Sequence, residues 1–245
     1  MTDVTNKWVL ITGAARGVGR QITLGMAKLG ANLILHSRNV EHTTALVAEA
    51  KSLGAPQVLS IAAELSDLNA VDTMLAQLQA MAPQIDIIFN NAGLMTPYHA
   101  DFWQVPNQDY QTSFIVNTIA PIRICYALIP AMIERGFGRV INTTSGIAKE
   151  PELMAYAASK AALDKFVRDM APHLTDTGVT MNLLDPGWLR TDLGGPQAPN
   201  DVTSVVPGAL VGALLNDGIS GRWISAQDYS GLTLDAAILK AAALP

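Results

Sequence analysis

The residues of this chain best suited to chemistry are Tyr156 and Lys160. Four apart, they share one face if the segment is helical. A free tyrosine has a pKa of about 10, too high for easy proton exchange at neutral pH. A nearby ammonium favours the phenolate and lowers that value, so the pair is a candidate acid/base couple. Ser145 lies eleven residues before the tyrosine. A second constellation is the run Thr12-Gly13-Ala14-Ala15-Arg16-Gly17-Val18-Gly19. Glycines there let the backbone turn sharply and approach a ligand closely. If a helix follows, its first N–H groups and positive dipole end suit a pyrophosphate. Three residues separate the first two glycines, so the spacing is not Gly-x-Gly-x-x-Gly. Alone, such a run is equally what a structural turn looks like. Tyr-x3-Lys likewise arises by chance as an exposed pair on a helix.

Both constellations need elements to hold them. Residues 8–12 are an apolar run ended by glycine, which reads as a buried strand. Residues 17–29 read as a helix, with Ile22, Met26 and Leu29 at helical spacing and Gly30 at the C-terminal cap. A second strand at 32–36, a helix at 40–53 closed by Gly54, and a third strand at 57–62 follow. Then come a helix at 68–81 ended by Pro83 and a fourth strand at 85–89. Residues 107–135 read as helical, with Pro121 as a bend or a boundary. A fifth strand at 139–144, a helix at 153–176 with Pro172 near its end, and a sixth strand at 179–184 continue the pattern. A seventh strand at 221–226 and a short helix at 232–243 close it. Repeated strand-helix-strand units imply parallel strands, right-handed crossovers and helices on both faces. The expected fold class is therefore α/β, a Rossmann-like doubly wound sheet of seven strands, in one domain over 1–245. Ligands bind such sheets beyond the carboxyl ends of the strands. That is where the glycine run, Asn90-Asn91-Ala92-Gly93 and Ser145 fall. The loop 194–207, rich in Gly, Pro and Asn, reads either as a mobile lid or as an ordinary surface segment.

In this order the motifs resemble those of the short-chain dehydrogenase/reductase family, in its single-domain branch of 3-oxoacyl-carrier reductase-like and carbonyl reductase-like members. The resemblance runs from Trp8 to about Ala226. It rests on Thr-Gly-x3-Gly-x-Gly at 12–19, Asn-Asn-Ala-Gly at 90–93, Asn117 in a helix, Ser145, Tyr-x3-Lys at 156–160 and Pro-Gly-x3-Thr at 186–191. It implies an NADP(H)-dependent oxidoreductase that interconverts a ketone or aldehyde and an alcohol. In the family's pattern Tyr156 is the acid/base, and Lys160 supports it and binds the nicotinamide ribose. Ser145 hydrogen-bonds the substrate oxygen, and Asn117 holds a water in a proton relay. Gly13, Gly17, Val18 and Gly19 match the pyrophosphate turn, and Asn91, Ala92 and Gly93 the contact with the adenosine ribose. Pro186, Gly187, Leu189 and Thr191 match the segment touching the nicotinamide carboxamide and pyrophosphate. Glu64-Leu65 match an adenine contact, with Asp67 as a competing assignment. Met95, Leu153, Trp188 and Leu193 flank the catalytic strand ends and are expected, with Ser145, to form the substrate wall; core packing would suit each as well. The chain departs from the family at 220–228, where Ser-Gly-Arg-Trp-Ile-Ser-Ala-Gln-Asp replaces the usual closing segment.

Cofactor choice turns on the end of the second strand. NAD-preferring relatives carry there an Asp that bonds the free 2′-hydroxyl and repels a 2′-phosphate. Counting from Gly30, Ser37 occupies that place, Arg38 follows, and Arg16 sits in the turn opposite. Two guanidinium groups converging on one phosphate make charge-assisted bonds. The expectation is NADP(H), although either arginine alone would pass as a surface charge.

A net charge of -5 leaves no basic footprint, so neither nucleic acid nor an anionic membrane is an expected partner. No uninterrupted apolar run is long enough to span a bilayer, and no basic leader precedes a long apolar region. The single Cys125 cannot form an internal disulfide and reads as a small core residue; the expected location is cytoplasmic. His36, His42, His99 and His173 show no ligand spacing, so no metal is expected. The apolar helices 107–135 and 153–176 are, by the resemblance, the faces of a homodimer or homotetramer. A regulatory protein that binds NADP(H) with little turnover is the second reading; the complete set Asn117, Ser145, Tyr156 and Lys160 speaks for the enzyme.

Overall fold

Residues 1–81, 84–147 and 153–243 are described by the computed structural model. The strands are β1 (Trp8–Ile11), β2 (Asn32–Ser37), β3 (Val58–Ala62), β4 (Ile87–Asn90), β5 (Gly138–Thr143), β6 (Val179–Asp185) and β7 (Trp223–Ser225). Among the described residues they form one parallel sheet in the order β3-β2-β1-β4-β5-β6-β7. The helices are α1 (Gly17–Lys28), α2 (Thr44–Ser52), α3 (Leu68–Met81), α4 (Asn107–Phe114), α5 (Ala120–Arg135), α6 (Met154–Met170), α7 (Gly208–Leu214) and α8 (Leu234–Ala242).

The strands are apolar on both faces because both faces are covered. Along β1, Val9 and Ile11 point one way and Leu10 the other. With Leu33, Leu35 and Phe89, the first pair packs against α1, α2, α7 and α8. Leu10 joins Ile34, Ile88, Val140 and Met181 against α3, α5 and α6. Cys125 lies wholly inside this second layer, and burial pushes its thiol up to about 12, as befits a small core side chain. The strand order reverses between β1 and β4, which opens a crevice at their carboxyl ends.

Several expected elements end elsewhere, each for a local reason. The helix expected over 153–176 stops at Met170 and tightens into a 3-10 turn at Ala171–Leu174, where Pro172 lacks an N–H to continue the ladder. The seventh strand covers only Trp223–Ser225. Helix α7 has no counterpart in the sequence reading. All seven of its residues are buried, so it carries no polar face and no stripe to betray it. Pro83, expected to end α3, lies outside the described residues.

Residues 107–135 form one continuous helix of 29 residues, in which α4 and α5 are joined by a π turn at Ile115–Ile119. Pro121 follows that turn in the first turn of α5, where its missing N–H leaves no bond unmade. By length and composition this helix passes as a membrane span, which a search for uninterrupted apolar runs does not anticipate. In the fold, Ala120, Ile124, Cys125, Leu128 and Met132 are buried against the sheet.

Candidate active site

The glycine-rich turn is held by close packing. Gly13 and Gly17 have φ of +63° and +56°, which glycine adopts without strain. A Cβ on Gly19 would lie 2.2 Å from the Gly13 carbonyl oxygen and 2.6 Å from Asn91 Nδ2. Asn91 N and Ala92 N both donate to Thr12 Oγ1, at 2.9 and 3.0 Å, and Asn91 Nδ2 donates to Thr12 O at 3.0 Å. On the other side Gly13 N donates to His36 Nδ1 at 3.3 Å, so the ring proton is on Nε2, which donates to Ala63 O at 3.1 Å. Burial holds His36 down at about 4, and the neutral ring serves as a brace between the turn and β3. Nothing in the spacing of His36 signals this. Helix α1 then starts at Gly17 with no side-chain cap and no acidic residue in its first turn. Its leading N–H groups are therefore available to an anion, and Gly13, Gly17, Val18 and Gly19 suit a pyrophosphate.

The residues read as the adenosine end are placed as follows. Ser37 is buried, and its hydroxyl donates to Asn39 O at 2.6 Å. Arg38 is exposed and enters no ion pair among the described residues. Arg16 turns the other way, to Asp192 Oδ2 at 2.6 Å. Glu64 is exposed and accepts from Ser66 N and Oγ, whereas Leu65 is buried in the core. Asp67 accepts from Asn69 N at 2.9 Å as the cap of α3, which gives that competing residue a structural occupation. After β6, a Cβ on Gly17 would lie 3.5 Å from the Thr191 methyl, so the loop rests on the turn. Leu189 packs into the core, and Pro186 O accepts from Gln227 Nε2 at 2.9 Å.

At the ends of β4 and β5 the structure brings Asn117, Ser145, Tyr156 and Lys160 together. Asn117 sits in the π turn, fully buried. Its Oδ1 accepts from Leu94 N at 2.8 Å, and its Nδ2 donates to Leu94 O at 2.8 Å and to Ser159 Oγ at 3.0 Å. Both amide N–H groups are thus used in joining the loop after β4 to α6. Gly93, beside that loop's clamp, would place a Cβ 3.5 Å from Lys160 Nζ. Lys160 is buried and donates to Thr143 O at 2.7 Å.

The electrostatics differ from the simple couple expected of Tyr156 and Lys160. Burial raises Tyr156 above its ordinary value, the nearby Ser145 hydroxyl opposes this, and the Asp185 carboxylate adds to it. Lys160 Nζ stands 5.9 Å from the tyrosine ring centroid and spends a hydrogen bond on Thr143, and burial of the phenol outweighs its attraction. Burial brings Lys160 itself down to about 8, against the pull of Asp164. A helical spacing of four shows a shared face and says nothing of depth; both groups lie deep enough for desolvation to outweigh their mutual attraction.

Of the expected substrate wall, Met95 and Leu153 line one cleft with Tyr98, Val105 and Met154. Trp188 and Leu193 stand apart, exposed on the loop after β6, where the Trp188 indole donates to Gly194 O at 2.7 Å. His99 also lines the cleft and pairs through Nε2 with Asp109 Oδ2 at 2.9 Å. The nine residues between these two are irregular or only briefly helical, so no periodicity pairs them in advance.

The family model described as short chain dehydrogenase matches residues 7–201. An L-xylulose reductase of Caenorhabditis elegans is 34% identical over 195 residues, covering 78% of this chain and 75% of that protein. A 3-oxoacyl-[acyl-carrier-protein] reductase of Synechocystis is 27% identical, covering 86% of each. Among solved structures, a 3-oxoacyl (acyl-carrier-protein) reductase of Agrobacterium tumefaciens with NADP bound superposes with a TM-score of 0.80 at 25% identity. That match covers 91% of this chain and 93% of the other. A metagenomic short-chain oxidoreductase in complex with NADP gives 0.70 at 29% identity, covering 76% and 84%.

The clamp makes a prediction of its own. Asn117→Ala leaves Leu94 N–H and C=O without their partners, at a cost of about 2–4 kcal/mol in unfolding free energy. The Leu94 amide should exchange hydrogen faster in the variant. Wild-type stability and wild-type protection at Leu94 would show that the clamp holds nothing.

Proposed function

We propose a hydride-transferring function from one premise: this chain belongs to the short-chain dehydrogenase family. The reading is an NADP(H)-dependent oxidoreductase interconverting a small carbonyl compound and its alcohol. The observation that carries it is the buried Tyr156 with the Ser145 hydroxyl beside it, at the carboxyl ends of β4 and β5, next to a turn suited to a pyrophosphate.

NADP(H), when bound, supplies or accepts the hydride. The chain orients the partners and handles the proton. Ser145 donates to the substrate oxygen and holds the carbonyl in place. Tyr156 gives that oxygen its proton in reduction and takes it back in oxidation. Lys160, at about 8, keeps its ammonium through neutral pH and offers it to the nicotinamide ribose. Asn117 fixes the loop after β4, and any part it takes in a proton relay falls to its main chain, since its amide N–H groups are in use. The cleft of Met95, Tyr98, Val105 and Leu153 receives the apolar part of the substrate.

For the cofactor, the reading is NADP(H) over NAD(H). Ser37 stands where a carboxylate would repel the 2′-phosphate, and Arg38 is exposed beside it with no ion pair among the described residues. Arg16 reaches the same phosphate by leaving Asp192, an exposed pair worth about 0–1 kcal/mol. The NADP held by two of the neighbouring structures supports the choice.

Three experiments test the reading. Tyr156→Phe should lower turnover by about 10²–10⁴-fold with NADPH binding nearly intact; near-normal turnover in that variant defeats the mechanism. The ratio of kcat/KM values should favour NADPH clearly, and Ser37→Asp with Arg38→Leu should reverse it. Equal use of NADH by the wild type would refute the cofactor assignment. Lastly, Ile119, Tyr126 and Ile133 recur every seven residues, exposed along one side of the long helix. We expect them to be covered in a homodimer or tetramer. Light scattering at micromolar concentration checks this, and a monomer mass counts against it.

A further inference from the structure

The cleft beside the acid/base is apolar apart from Thr96, Tyr98 and His99. Ala155, the residue before Tyr156, forms part of its wall, so the cleft reaches the stretch of α6 that carries the phenol. The reaction just described makes no use of His99. Its ring comes from the irregular segment after β4, and its Nε2 meets Asp109 Oδ2 at 2.9 Å, in the first turn of α4. An ionised carboxylate only accepts, so Nε2 carries a proton and donates it to Asp109. The Asp109 side chain is 15% exposed and is not part of the cleft wall, whereas that of His99 is 31% exposed and lines it. The Nε2 end of the ring is therefore turned toward α4, and this bond fixes the ring. The other nitrogen, Nδ1, has no hydrogen-bond partner among the described residues.

A tether between the segment after β4 and α4 uses Nε2 alone. It leaves Nδ1 as an unpartnered polar atom on a ring that lines an apolar cleft, and a polar atom so placed is bonded by water or by a ligand. The few polar groups of a mostly apolar cleft are what orient a ligand within it. The chemistry of the pair selects the group that Nδ1 can take. With the ring neutral, Nδ1 accepts and the pair carries one negative charge. With the ring protonated, Nδ1 donates and the pair carries no net charge. A carboxylate is repelled in the first state and meets no net charge in the second. An ammonium finds an acceptor in the first state and none in the second. A hydroxyl both donates and accepts, so it suits Nδ1 in either state.

We propose that His99, oriented by Asp109, is a specificity-determining residue whose Nδ1 bonds a hydroxyl group of the substrate, so that the preferred substrate is a hydroxy-substituted carbonyl compound. This rests on the reading that Tyr156 protonates a carbonyl at this site. The hydroxyl takes no part in the reaction: the carbonyl carbon gains the hydride of NADPH, and the carbonyl oxygen gains the Tyr156 proton. The bond to Nδ1 is the same before and during hydride transfer. It therefore acts on substrate binding, and its loss raises KM far more than it lowers kcat.

The test compares matched pairs: straight-chain methyl ketones and the same ketones bearing one hydroxyl, either beside the carbonyl or at the far end of the chain. With NADPH, the wild type should favour at least one hydroxyketone over its parent by about 3- to 10-fold in kcat/KM, the worth of one hydrogen bond, and the difference should lie in KM. Two variants divide the ring between them. His99→Gln keeps an N–H in the place of Nε2 for Asp109 and has nothing in the place of Nδ1. His99→Asn sets an acceptor in the place of Nδ1 and cannot reach Asp109. His99→Gln should lose the preference through a higher KM for the hydroxyketone, with its thermal unfolding midpoint held at the wild-type value. His99→Asn should keep part of the preference. A histidine that serves only as a tether gives the opposite order, with the preference intact in His99→Gln and both ketones affected alike in His99→Asn; that result overturns the proposal. So does a wild type that reduces the parent ketones and prefers none of the hydroxyketones. No turnover of either series, or an active Tyr156→Phe, would overturn instead the reading beneath it.

Discussion

The Thr12 hydroxyl, accepting the main-chain N–H groups of Asn91 and Ala92, joins the ends of β1 and β4, and the site is assembled outward from that junction. Without it two buried donors at the switch point of the sheet would lack partners, which a folded interior tolerates poorly. On one side it seats the glycine-rich turn and with it the start of α1. On the other it sets the course of the chain through Gly93 to Leu94, where Asn117 takes both main-chain groups and passes the constraint to Ser159 on α6. Tyr156 lies one helical turn before Ser159 and Lys160 directly after it, and Lys160 returns to the end of β5 at Thr143. The glycine-rich turn, the Tyr156–Lys160 stretch of α6 and the end of β5 are thus joined through hydrogen bonds.

How much of this the chain discloses in advance depends on whether a residue acts through its neighbours in sequence or in space. The strand-helix alternation is legible because burial on both faces writes itself as apolar runs, and because glycines and prolines punctuate them. The order of motifs along the chain therefore maps directly onto the strand ends. Helix α7 is not legible, since a segment buried on every side has no period to read. His36 shows only the absence of ligand spacing in the sequence, because its work is to span from Gly13 to Ala63, two residues on different strand ends. Asp185 and the pair of His99 with Asp109 are hidden for the same reason. Asp67 and Glu64 show the reverse case: a family pattern offers two carboxylates close in sequence, and local capping chemistry separates them, one committed to α3 and the other to Ser66.

Depth is the other quantity that spacing cannot convey, and it decides the electrostatics. An exposed Tyr–Lys pair would move each group toward its charged form. Here burial moves both toward the neutral form, the phenol up and the amine down to about 8. The interior withholds solvation from each charge more than it concentrates their attraction, because the amine faces the Thr143 carbonyl and stands 5.9 Å from the ring. What opposes the burial of the phenol is a dipole, the Ser145 hydroxyl.

The loop after β6 illustrates how the crevice can be bordered without being shut. Its contact with the glycine-rich turn consists of the Thr191 methyl near Gly17 and the pair of Arg16 with Asp192, whose side chains are 68% and 74% exposed. At that exposure solvent screens the pair almost completely, so it cannot decide where the loop lies. The loop's own bonds do so. The Trp188 indole is tied to Gly194 O, Asn200 Nδ2 to Trp188 O, and the Arg190 guanidinium to the carbonyls of Ala198 and Pro199. These close the segment on itself, while Leu189 in the core and the bond from Gln227 Nε2 to Pro186 O anchor its start. Only a screened ion pair therefore stands between the Arg16 guanidinium and another anionic partner.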